Sequence, residues 1–289
     1  MISSAASSAT PSVPLDTAPA CPLRVGTSGY AYPEWSEAGF YPPGTPAREM
    51  LALYARQFSV TELNYTWYQM PRAAAMERML PKVPADFGFA AKLTRTMTHE
   101  IDPHGWRGKA VQFRDGIAPL MQAGRLLSVL IQLPPTFERN AANRRYLAHL
   151  LDALAGLPLA VEFRHRTWAL APVFDELQRR RVTLVAVDAP DLPYLFPKLD
   201  VVTNPDLFYV RFHGRNARGW RSGNMQKQFD YLYSSNELQQ WSRTIIPKMA
   251  ARAHSGIAFF NNHVRAQAPR NANMLMTELC TRSSGRAFH

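Results

Sequence analysis

The feature that most constrains the fold of this 289-residue chain is a short apolar run that recurs eight times and each time ends in polar or charged residues. Most of the segments between these runs carry apolar residues at helical spacing. Eight strands that alternate with helices predict an α/β fold, a single (β/α)8 TIM-type barrel, with functional side chains at the carboxyl ends of its strands. The predicted strands are residues 23–28, 60–66, 87–94, 127–133, 159–165, 183–188, 207–213 and 256–262.

The length and composition fit one large domain. With 46% hydrophobic residues the chain can bury a full core, and we assign residues 21–289 to a single barrel domain. Residues 189–206, between the sixth and seventh runs, hold four prolines and no helical period, so the sixth βα unit is predicted to be degenerate. Residues 1–20 are rich in Ser, Ala, Thr and Pro and are predicted to be a disordered leader.

The compartment is predicted to be the cytoplasm. The leader lacks the basic and apolar regions of a secretory signal, and no stretch reaches the roughly 18 apolar residues of a membrane span. Two cysteines, Cys21 and Cys280, support neither a disulfide framework nor a cysteine metal cluster. A net charge of +11 favours an anionic partner, although many soluble enzymes are equally basic.

Alternation within the strands predicts which side chains face the barrel interior. In each run one alternate set is large and apolar, as contact with the surrounding helices requires, and we assign the small or polar set to the interior. Near the rim this places three acidic and three basic residues together, which are expected to form one network because isolated buried charges are costly. The alternative is that they only satisfy one another beneath a site. The six are Glu62, Lys92, Glu162, Arg164, Asp188 and Arg211.

Seven motifs, in this order, resemble the YecE-like family, the domain of unknown function 72, over about residues 23–280. They are GTSGYAYPEW with FYP (26–42), ELNYTWYQMP (62–71), FAAKLTRTMTH (89–99), QLPP (132–135), VEFRHRTW (161–168), YVRFHGRN (209–216) and FFNNH (259–263). The resemblance implies a TIM-type barrel and no settled biochemical activity. Similarity to sugar isomerase and endonuclease barrels is an analogy of fold only. Tyr30 stands where the family pattern has Trp, and Trp67 where it has Phe, so both positions stay aromatic.

Two rim loops are candidates for ligand contact. The aromatic loop, residues 30–41, could stack on a sugar or a base, and the alternative is that it packs over the barrel mouth. The basic loop, residues 211–221, carries four arginines, and arginine forks suit phosphate or carboxylate groups. Its alternative is a solvated loop without a ligand.

The polar residues near the predicted rim give two sets of candidate site residues. The predicted catalytic residues are Glu62, Lys92, Glu162, Asp188 and His213. The predicted substrate-binding residues are Ser28, Tyr30, Trp35, Asn64, Tyr68, Gln132, Arg164, Arg211, Arg215, Asn261, Asn262 and His263. Glutamate and histidine would move protons, arginine would hold an anion, and Lys92 would stabilise developing negative charge.

These candidates favour an enzyme that acts by acid/base chemistry, hydrolysis or isomerisation, on a small anionic, hydroxyl-rich substrate such as a phosphorylated sugar or nucleotide fragment. We predict no cofactor. A divalent metal is the weaker alternative, with His99, His165, His213 and His263 as its nitrogen donors, because three cations already share the cavity. A nucleic-acid-binding or nucleic-acid-processing protein remains the alternative function, and a catalytically silent scaffold the third.

Overall fold

The strands of this computed structural model, which describes residues 23–285 and side chains as far as residue 281, close into one parallel barrel. Each strand pairs with its neighbours in chain order, and β8 pairs with β1. The strands are β1 (Leu23–Ser28), β2 (Val60–Leu63), β3 (Gly88–Lys92), β4 (Leu126–Gln132), β5 (Leu159–Glu162), β6 (Thr183–Asp188), β7 (Phe208–Phe212) and β8 (Gly256–Phe260). The predicted TIM-type barrel is confirmed. The predicted leader, residues 1–20, lies outside the described residues.

The helices lie between the strands in the βα order that the sequence predicts. They are α1 (Glu34–Glu37), α2 (Ala47–Tyr54), α3 (Tyr65–Tyr68), α4 (Ala73–Met79), α5 (Trp106–Gln122), α6 (Ala141–Ala153), α7 (Ala171–Arg179), α8 (Ala217–Arg221), α9 (Met225–Phe229), α10 (Ser235–Gln240), α11 (Ile246–Ala250) and α12 (Gln267–Gly285). Asn140 caps α6, since its side chain accepts a hydrogen bond from the amide of Asn143. No helix in the described part of the chain is long and apolar enough to cross a membrane.

Two local features of the chain position the rim. Between β6 and β7 the described residues form no helix, so the sixth βα unit is degenerate, as predicted. The second strand ends at Leu63, three residues earlier than predicted. Asn64 has helical dihedral angles, φ −73° and ψ −26°, and it begins the one-turn helix α3 instead of extending the strand. This early turn brings α3 over the barrel mouth, where Thr66 donates a hydrogen bond to the carbonyl of Lys92.

The register of the ladder defines the inner and outer faces of each strand. Residues paired across neighbouring parallel strands point to the same side of the sheet. Ser28 pairs with Glu62, Gln132 with Glu162, and the predicted interior set on these strands lies together. The opposite set is large and apolar and packs against the helices, as in the stacked rings of Phe212 and Phe260, whose centroids are 4.4 Å apart.

Candidate active site at the barrel mouth

Glu162 lies at the centre of a buried network inside the barrel. It comes from the end of β5 and has no exposed surface. Its Oε1 accepts hydrogen bonds from Nε of Arg164, and its Oε2 accepts from Nη1 of Arg211 at 2.5 Å. Burial alone would raise the pKa of this carboxyl, but the two guanidinium groups outweigh it and hold the pKa well below its usual value. Glu162 is therefore ionised at neutral pH.

Arg211 joins this carboxylate to a second one on the opposite side of the barrel. Its Nη2 donates to Oε1 of Glu62 at 2.7 Å and contacts Oγ of Ser28 at 3.4 Å. The other carboxylate oxygen of Glu62 accepts from the hydroxyl of Tyr209. Because Arg211 is fully buried and both of its terminal nitrogens face carboxylates, it lies beneath the site and orders the two acids. Its geometry does not favour the predicted contact with a ligand anion.

His213 is held neutral at the end of the same network. Its ring Nδ1 lies 3.2 Å from Nδ2 of Asn261, and its Nε2 lies 3.1 Å from Oε1 of Glu162 and 3.2 Å from Nη2 of Arg164. Burial, and then the charge of Arg164, lowers the pKa of His213 to about 3. Both ring nitrogens are engaged, so the side chain has no free lone pair to offer a substrate.

Lys92, at the end of β3, differs from the other charged groups of the interior. In the described part of the chain its ammonium has no hydrogen-bond or ion-pair partner, and Nζ lies 4.9 Å from the ring centroid of Trp67. The side chain is half-buried, and Nζ is accessible to solvent. Burial, and then the charge of Arg211, lowers the pKa of Lys92 to about 7. The amine is therefore available in both protonation states near neutral pH.

Trp67 and His99 form the wall beside this lysine. The indole Nε1 of Trp67 donates to Nδ1 of His99 at 3.3 Å, and Oγ1 of Thr98 lies 2.9 Å from the same nitrogen. Burial, and then the charge of Lys92, lowers the pKa of His99 to about 4. Trp67 was not among the predicted site residues, and His99 was named only as a possible metal donor. Their motifs, ELNYTWYQMP and FAAKLTRTMTH, begin within β2 and β3 and continue past the ends of these strands, and that placement was the available signal.

Three further side chains present accessible polar atoms at this mouth. Nη1 of Arg164 and the amide oxygens of Gln132 and Asn261 make no hydrogen bond in the described structure, yet none is enclosed. The Arg164 guanidinium also lies over the ring of Trp220, with 5.1 Å between its central carbon and the centroid. Together with Nζ of Lys92 these atoms are free to contact a polar ligand.

Asp188 does not belong to the interior network, so its predicted placement was wrong. The register pairs Asp188 with Phe212, which packs outward, and pairs Val187 with Arg211, which faces the interior. Between Thr183 and Asp188, at the two ends of β6, both alternate sets are apolar, so composition gave no guide to orientation. The carboxylate instead binds Arg215 through both oxygens, at 2.8 and 2.7 Å.

Asp188 anchors the basic loop to the outer helices. It accepts from the hydroxyl of Tyr233 at 2.8 Å and from the indole of Trp241 at 2.7 Å. Burial would raise its pKa, but the bonds from Arg215 outweigh burial and lower it. Arg215 also donates to Glu237 at 3.2 Å. Arg215 is therefore neutralised by two carboxylates, which does not favour its predicted role in holding a substrate anion.

Removal of Asp188 from the interior changes the charge of the site. The barrel mouth holds the carboxylates of Glu62 and Glu162 against the cations of Arg164, Arg211 and Lys92. The interior thus carries one excess positive charge whenever Lys92 is protonated. The predicted balance of three acids and three bases was wrong for this reason.

The aromatic loop packs over the mouth and has little surface for a ligand. Trp35 is completely buried, and its indole donates to the carbonyl of His263 at 2.7 Å. Tyr32 stacks on the ring of His263 with 4.7 Å between centroids, and Tyr41 is 2% exposed. Of the two alternatives that the sequence left open, the loop packs over the barrel mouth and does not present its rings to a ligand. Trp35 is not placed to contact a substrate, and His263 is half-buried beneath Tyr32.

Asn262 also lies apart from the mouth. It follows Phe260 on the outward set, and its Nδ2 donates to the carbonyl of Tyr231 at 2.8 Å and to Oδ1 of Asn271 at 2.9 Å. The side chain is fully buried against α12, so the prediction that it contacts a substrate was wrong. Of the two neighbouring asparagines, Asn261 alone faces the interior.

The other predicted substrate-binding residues lie on the rim near β1 and α3. Tyr30 and Asn64 are half-buried, and the carbonyl of Tyr30 accepts from the hydroxyl of Tyr41 at 2.6 Å. The Oδ1 of Asn64 is enclosed without a partner. Tyr68 is 58% exposed on α3 and lies edge-on to Trp67. These positions are compatible with the outer edge of a site around Lys92.

The described residues hold no group of three or more His, Cys, Asp and Glu side chains arranged to bind a metal ion. Each of the four histidines at strand ends contacts a different residue. His213 is engaged with Glu162, His99 with Trp67, and His263 with Tyr32. His165 bonds Oγ1 of Thr167 at 2.8 Å.

Comparison with known proteins places this barrel in a family. A family model described as "Protein of unknown function DUF72" matches residues 24–287. UPF0759 protein YunF of Bacillus subtilis (strain 168) is 27% identical over 279 residues, which cover 92% of this chain and 97% of that protein.

Two solved structures show the same architecture. A DUF72 family protein of Thermotoga maritima MSB8 has 33% sequence identity and a TM-score of 0.80, over 89% of this chain and 99% of that one. One from Enterococcus faecalis V583 has 26% identity and a TM-score of 0.79, over 89% and 95% of the two chains. The resemblance that the seven motifs suggested is therefore confirmed, and the chain belongs to the DUF72 family of proteins of unknown function.

Proposed function

We propose that this protein is an enzyme that moves a proton to or from a small anionic, hydroxyl-rich substrate, such as a phosphorylated sugar, at the mouth of its barrel. The observation that carries the proposal is Lys92, an accessible amine with no ionic partner in the described structure and a pKa of about 7. A group whose pKa lies near the working pH is the most effective proton carrier, because both of its protonation states are populated.

The hydrogen bonds of the interior favour Lys92 over the acids and histidine as this carrier. From the sequence we expected Glu62 or Glu162, with His213, to move protons. Both oxygens of each carboxylate are occupied by buried donors, and both nitrogens of His213 are engaged. Both carboxylates have no exposed surface and are ion-paired with Arg211, so a substrate proton reaches neither of them without a break in this network. We therefore assign these three residues to positioning and charge.

The charge of the mouth supports an anionic substrate. The interior has one excess cation when Lys92 is protonated, and Nη1 of Arg164 is accessible beside it. An anion bound here would restore neutrality and would raise the pKa of Lys92. The accessible amide oxygens of Gln132 and Asn261 suit hydroxyl donors, which is the reason for a hydroxyl-rich substrate.

The nucleic-acid alternative receives less support. It relied on the basic rim and on the aromatic loop. Arg215 of the basic loop is paired with two carboxylates, and Trp35 and Tyr41 of the aromatic loop are buried. Bases require exposed ring faces for stacking. Among the aromatic residues near the mouth, Tyr68 is largely exposed, which is a small platform for a polymer.

Proton exchange offers a test that needs no knowledge of the complete reaction. The protein is incubated in D2O with a panel of aldose and ketose phosphates, and deuterium incorporation beside the carbonyl is followed by proton NMR. We expect exchange with at least one member for the native protein. Lys92→Met should slow it by about 10²- to 10⁴-fold, the usual contribution of general acid–base catalysis.

Lys82→Met is the matched control for this experiment. Lys82 is an exposed lysine whose Nζ contacts the carbonyl of Arg48, outside the mouth. Its variant should exchange substrate protons at the native rate. Exchange that persists in Lys92→Met, or the absence of exchange and of binding across the panel with the native protein, would contradict the proposal.

A further inference from the structure

A cavity of about 1140 Å³ lies on the rim beside the barrel mouth. Its walls come from the connections that follow β4, β5, β6 and β7. None of Glu62, Lys92, Glu162 and Arg211 lines it. Leu192 and Leu195, two of its lining residues, pack against Trp220, whose ring lies over Arg164. The cavity is thus next to the candidate active site but separate from it.

Each of the four connections contributes one cation to the cavity. These are Arg139 after β4, Arg166 after β5, Lys198 after β6 and Arg215 after β7, against the single acidic lining residue Asp191. The four come from segments far apart in sequence. Their convergence on one cavity gives it a basic character at the face of the barrel where ligands bind in this fold.

Two of the four cations are without a carboxylate partner in the described structure. Arg139 makes no side-chain hydrogen bond, and its Nε is enclosed without an acceptor. The Nη1 of Arg166 donates to the carbonyl of Pro193, a lining residue, at 3.0 Å, and the guanidinium forms no ion pair. By contrast Arg215 and Lys198 share Asp188, at 2.7 and 3.7 Å. A buried donor without an acceptor destabilises the folded protein. An anion that accepts a hydrogen bond from Nε of Arg139 would remove this cost in free energy.

The volume of the cavity and its other lining residues indicate what the ligand carries besides its anionic group. The remaining lining is largely apolar, with leucines, alanines and a phenylalanine, and it is stiffened by prolines; the residues include Leu170, Leu192, Phe196, Pro190, Pro193 and Pro197. Ligand cavities for organic molecules are commonly about 300–1,000 Å³. A space of this size is far larger than an inorganic anion needs, and its apolar walls suit a flat or apolar group attached to the anion.

We propose that this rim cavity is a binding site for an organic phosphate of nucleotide size, with its phosphate groups between Arg139 and Arg166 and its base or other apolar body against Leu170, Leu192 and Phe196. The site is separate from the proton-transfer function of Lys92. Arginine forks bind phosphate oxygens in pairs, and the apolar wall distinguishes an organic phosphate from a free one.

Isothermal titration calorimetry of the full chain with ADP, pyrophosphate and adenosine tests this inference. The native protein should bind ADP more tightly than either fragment, because ADP alone supplies both the charge and the apolar body. Arg139→Gln/Arg166→Gln should weaken ADP binding at least tenfold. Arg145→Gln/Arg252→Gln is the control, since it removes the same charge from two exposed arginines outside the cavity, and it should leave ADP affinity unchanged.

ADP binding at the rim cavity and proton transfer at Lys92 are tested by separate experiments. Lys92→Met should bind ADP as the native protein does, whatever the outcome of the proton-exchange experiment. Three results would overturn the cavity assignment: no ADP binding by the native protein at millimolar concentration, equal ADP binding by the Arg139→Gln/Arg166→Gln variant, or pyrophosphate binding as tight as that of ADP. The last result would reduce the cavity to a charged surface without selectivity for an organic body.

Discussion

At the scale of single residues, the chemistry of the barrel interior depends on which charged side chains have a hydrogen-bonded partner. Glu162 contacts Arg164, Arg211 and His213, and Glu62 contacts Arg211 and Tyr209, so both buried carboxylates are compensated. Lys92 has no such partner in the described structure, and burial lowers the pKa of its amine to about 7. Strand alternation predicted Glu62, Lys92 and Glu162 on the inner face, because each belongs to the small or polar alternate set of its strand. It could not predict which of them would be saturated by hydrogen bonds.

Glu162→Gln should destabilise the protein strongly. The substitution removes the charge that compensates both Arg164 and Arg211, and breaking a buried ion pair costs about 3–5 kcal/mol. Equilibrium unfolding in urea measures the free energy of unfolding. Glu138→Gln is the control, because Glu138 is exposed and its carboxylate lies 3.8 Å from Nε2 of His165. A loss below about 0.5 kcal/mol is expected for the control, and similar losses for both variants would contradict the account.

The neutral state of His213 predicts a dependence of stability on pH. Its pKa is about 3 in the folded protein and about 6.5 in an unfolded chain, so unfolding is accompanied by proton uptake below pH 6.5. The contribution of His213 is present above pH 6.5 and is lost as the pH falls from 6.5 towards 3, by up to about 1.4 kcal/mol per pH unit. Glu162, whose pKa in the folded protein lies well below the ordinary value of about 4.3, loses its contribution only below that pH.

Urea unfolding at pH 7.5 and pH 5.0 measures this effect. The native protein should lose more stability between the two conditions than His213→Gln does, since the variant lacks the titrating group. His104→Gln, at an exposed position, should behave like the native protein. An equal loss in native protein and His213→Gln would show that the histidine is already charged in the fold.

At the scale of elements, the strand register decides the chemistry of the rim. A shift of one residue moves a side chain to the other face of a strand, and this is why Asp188 binds Arg215 and the outer helices instead of Glu162 and its partners. Periodicity could predict the inner face of β5 and β7, where polar and large apolar residues alternate. It failed on β6, where the residues of both faces are buried and mostly apolar.

Gly26→Ala tests the close approach of β1 and β2. A Cβ at position 26 would lie 2.2 Å from the carbonyl oxygen of Val60 and 2.9 Å from the hydroxyl of Tyr54. The first of these atoms is backbone in a barrel strand and has little freedom to move, so we expect a loss of about 1–3 kcal/mol in the free energy of unfolding. Urea unfolding at neutral pH is the measurement.

Gly108→Ala provides the matched control for this substitution. Gly108 lies in α5, and a Cβ there would meet no heavy atom within 4 Å. Alanine is favoured over glycine inside a helix by roughly 0.5–1 kcal/mol, so this variant should be as stable as the native protein or slightly more so. Equal effects of the two substitutions would show that β1 and β2 are farther apart than the structure has them.

At the scale of the whole molecule, the sequence predicted the barrel and its family well. Eight apolar runs alternate with helical segments, as the strands of a (β/α)8 barrel do, and the motifs lie at its rim. The rim cavity could not be predicted, because it depends on how residues 189–198 fold back beside Arg139 and Arg166. The burial of Trp35 depends likewise on tertiary packing, which its position in an aromatic loop does not reveal.

The pKa of Lys92 can be measured by NMR, and the proposed proton transfer depends on it. The lysines are labelled by reductive methylation with carbon-13, and the dimethyl signal of Lys92 is identified by its absence in Lys92→Arg. We expect a midpoint near pH 7 for this signal, because the side chain is half-buried beside Arg211 and has no carboxylate partner of its own in the described structure. A midpoint near 10.4, the ordinary lysine value, would mean that burial and Arg211 do not lower the pKa of this amine, and Lys92 could then not serve as the proton carrier.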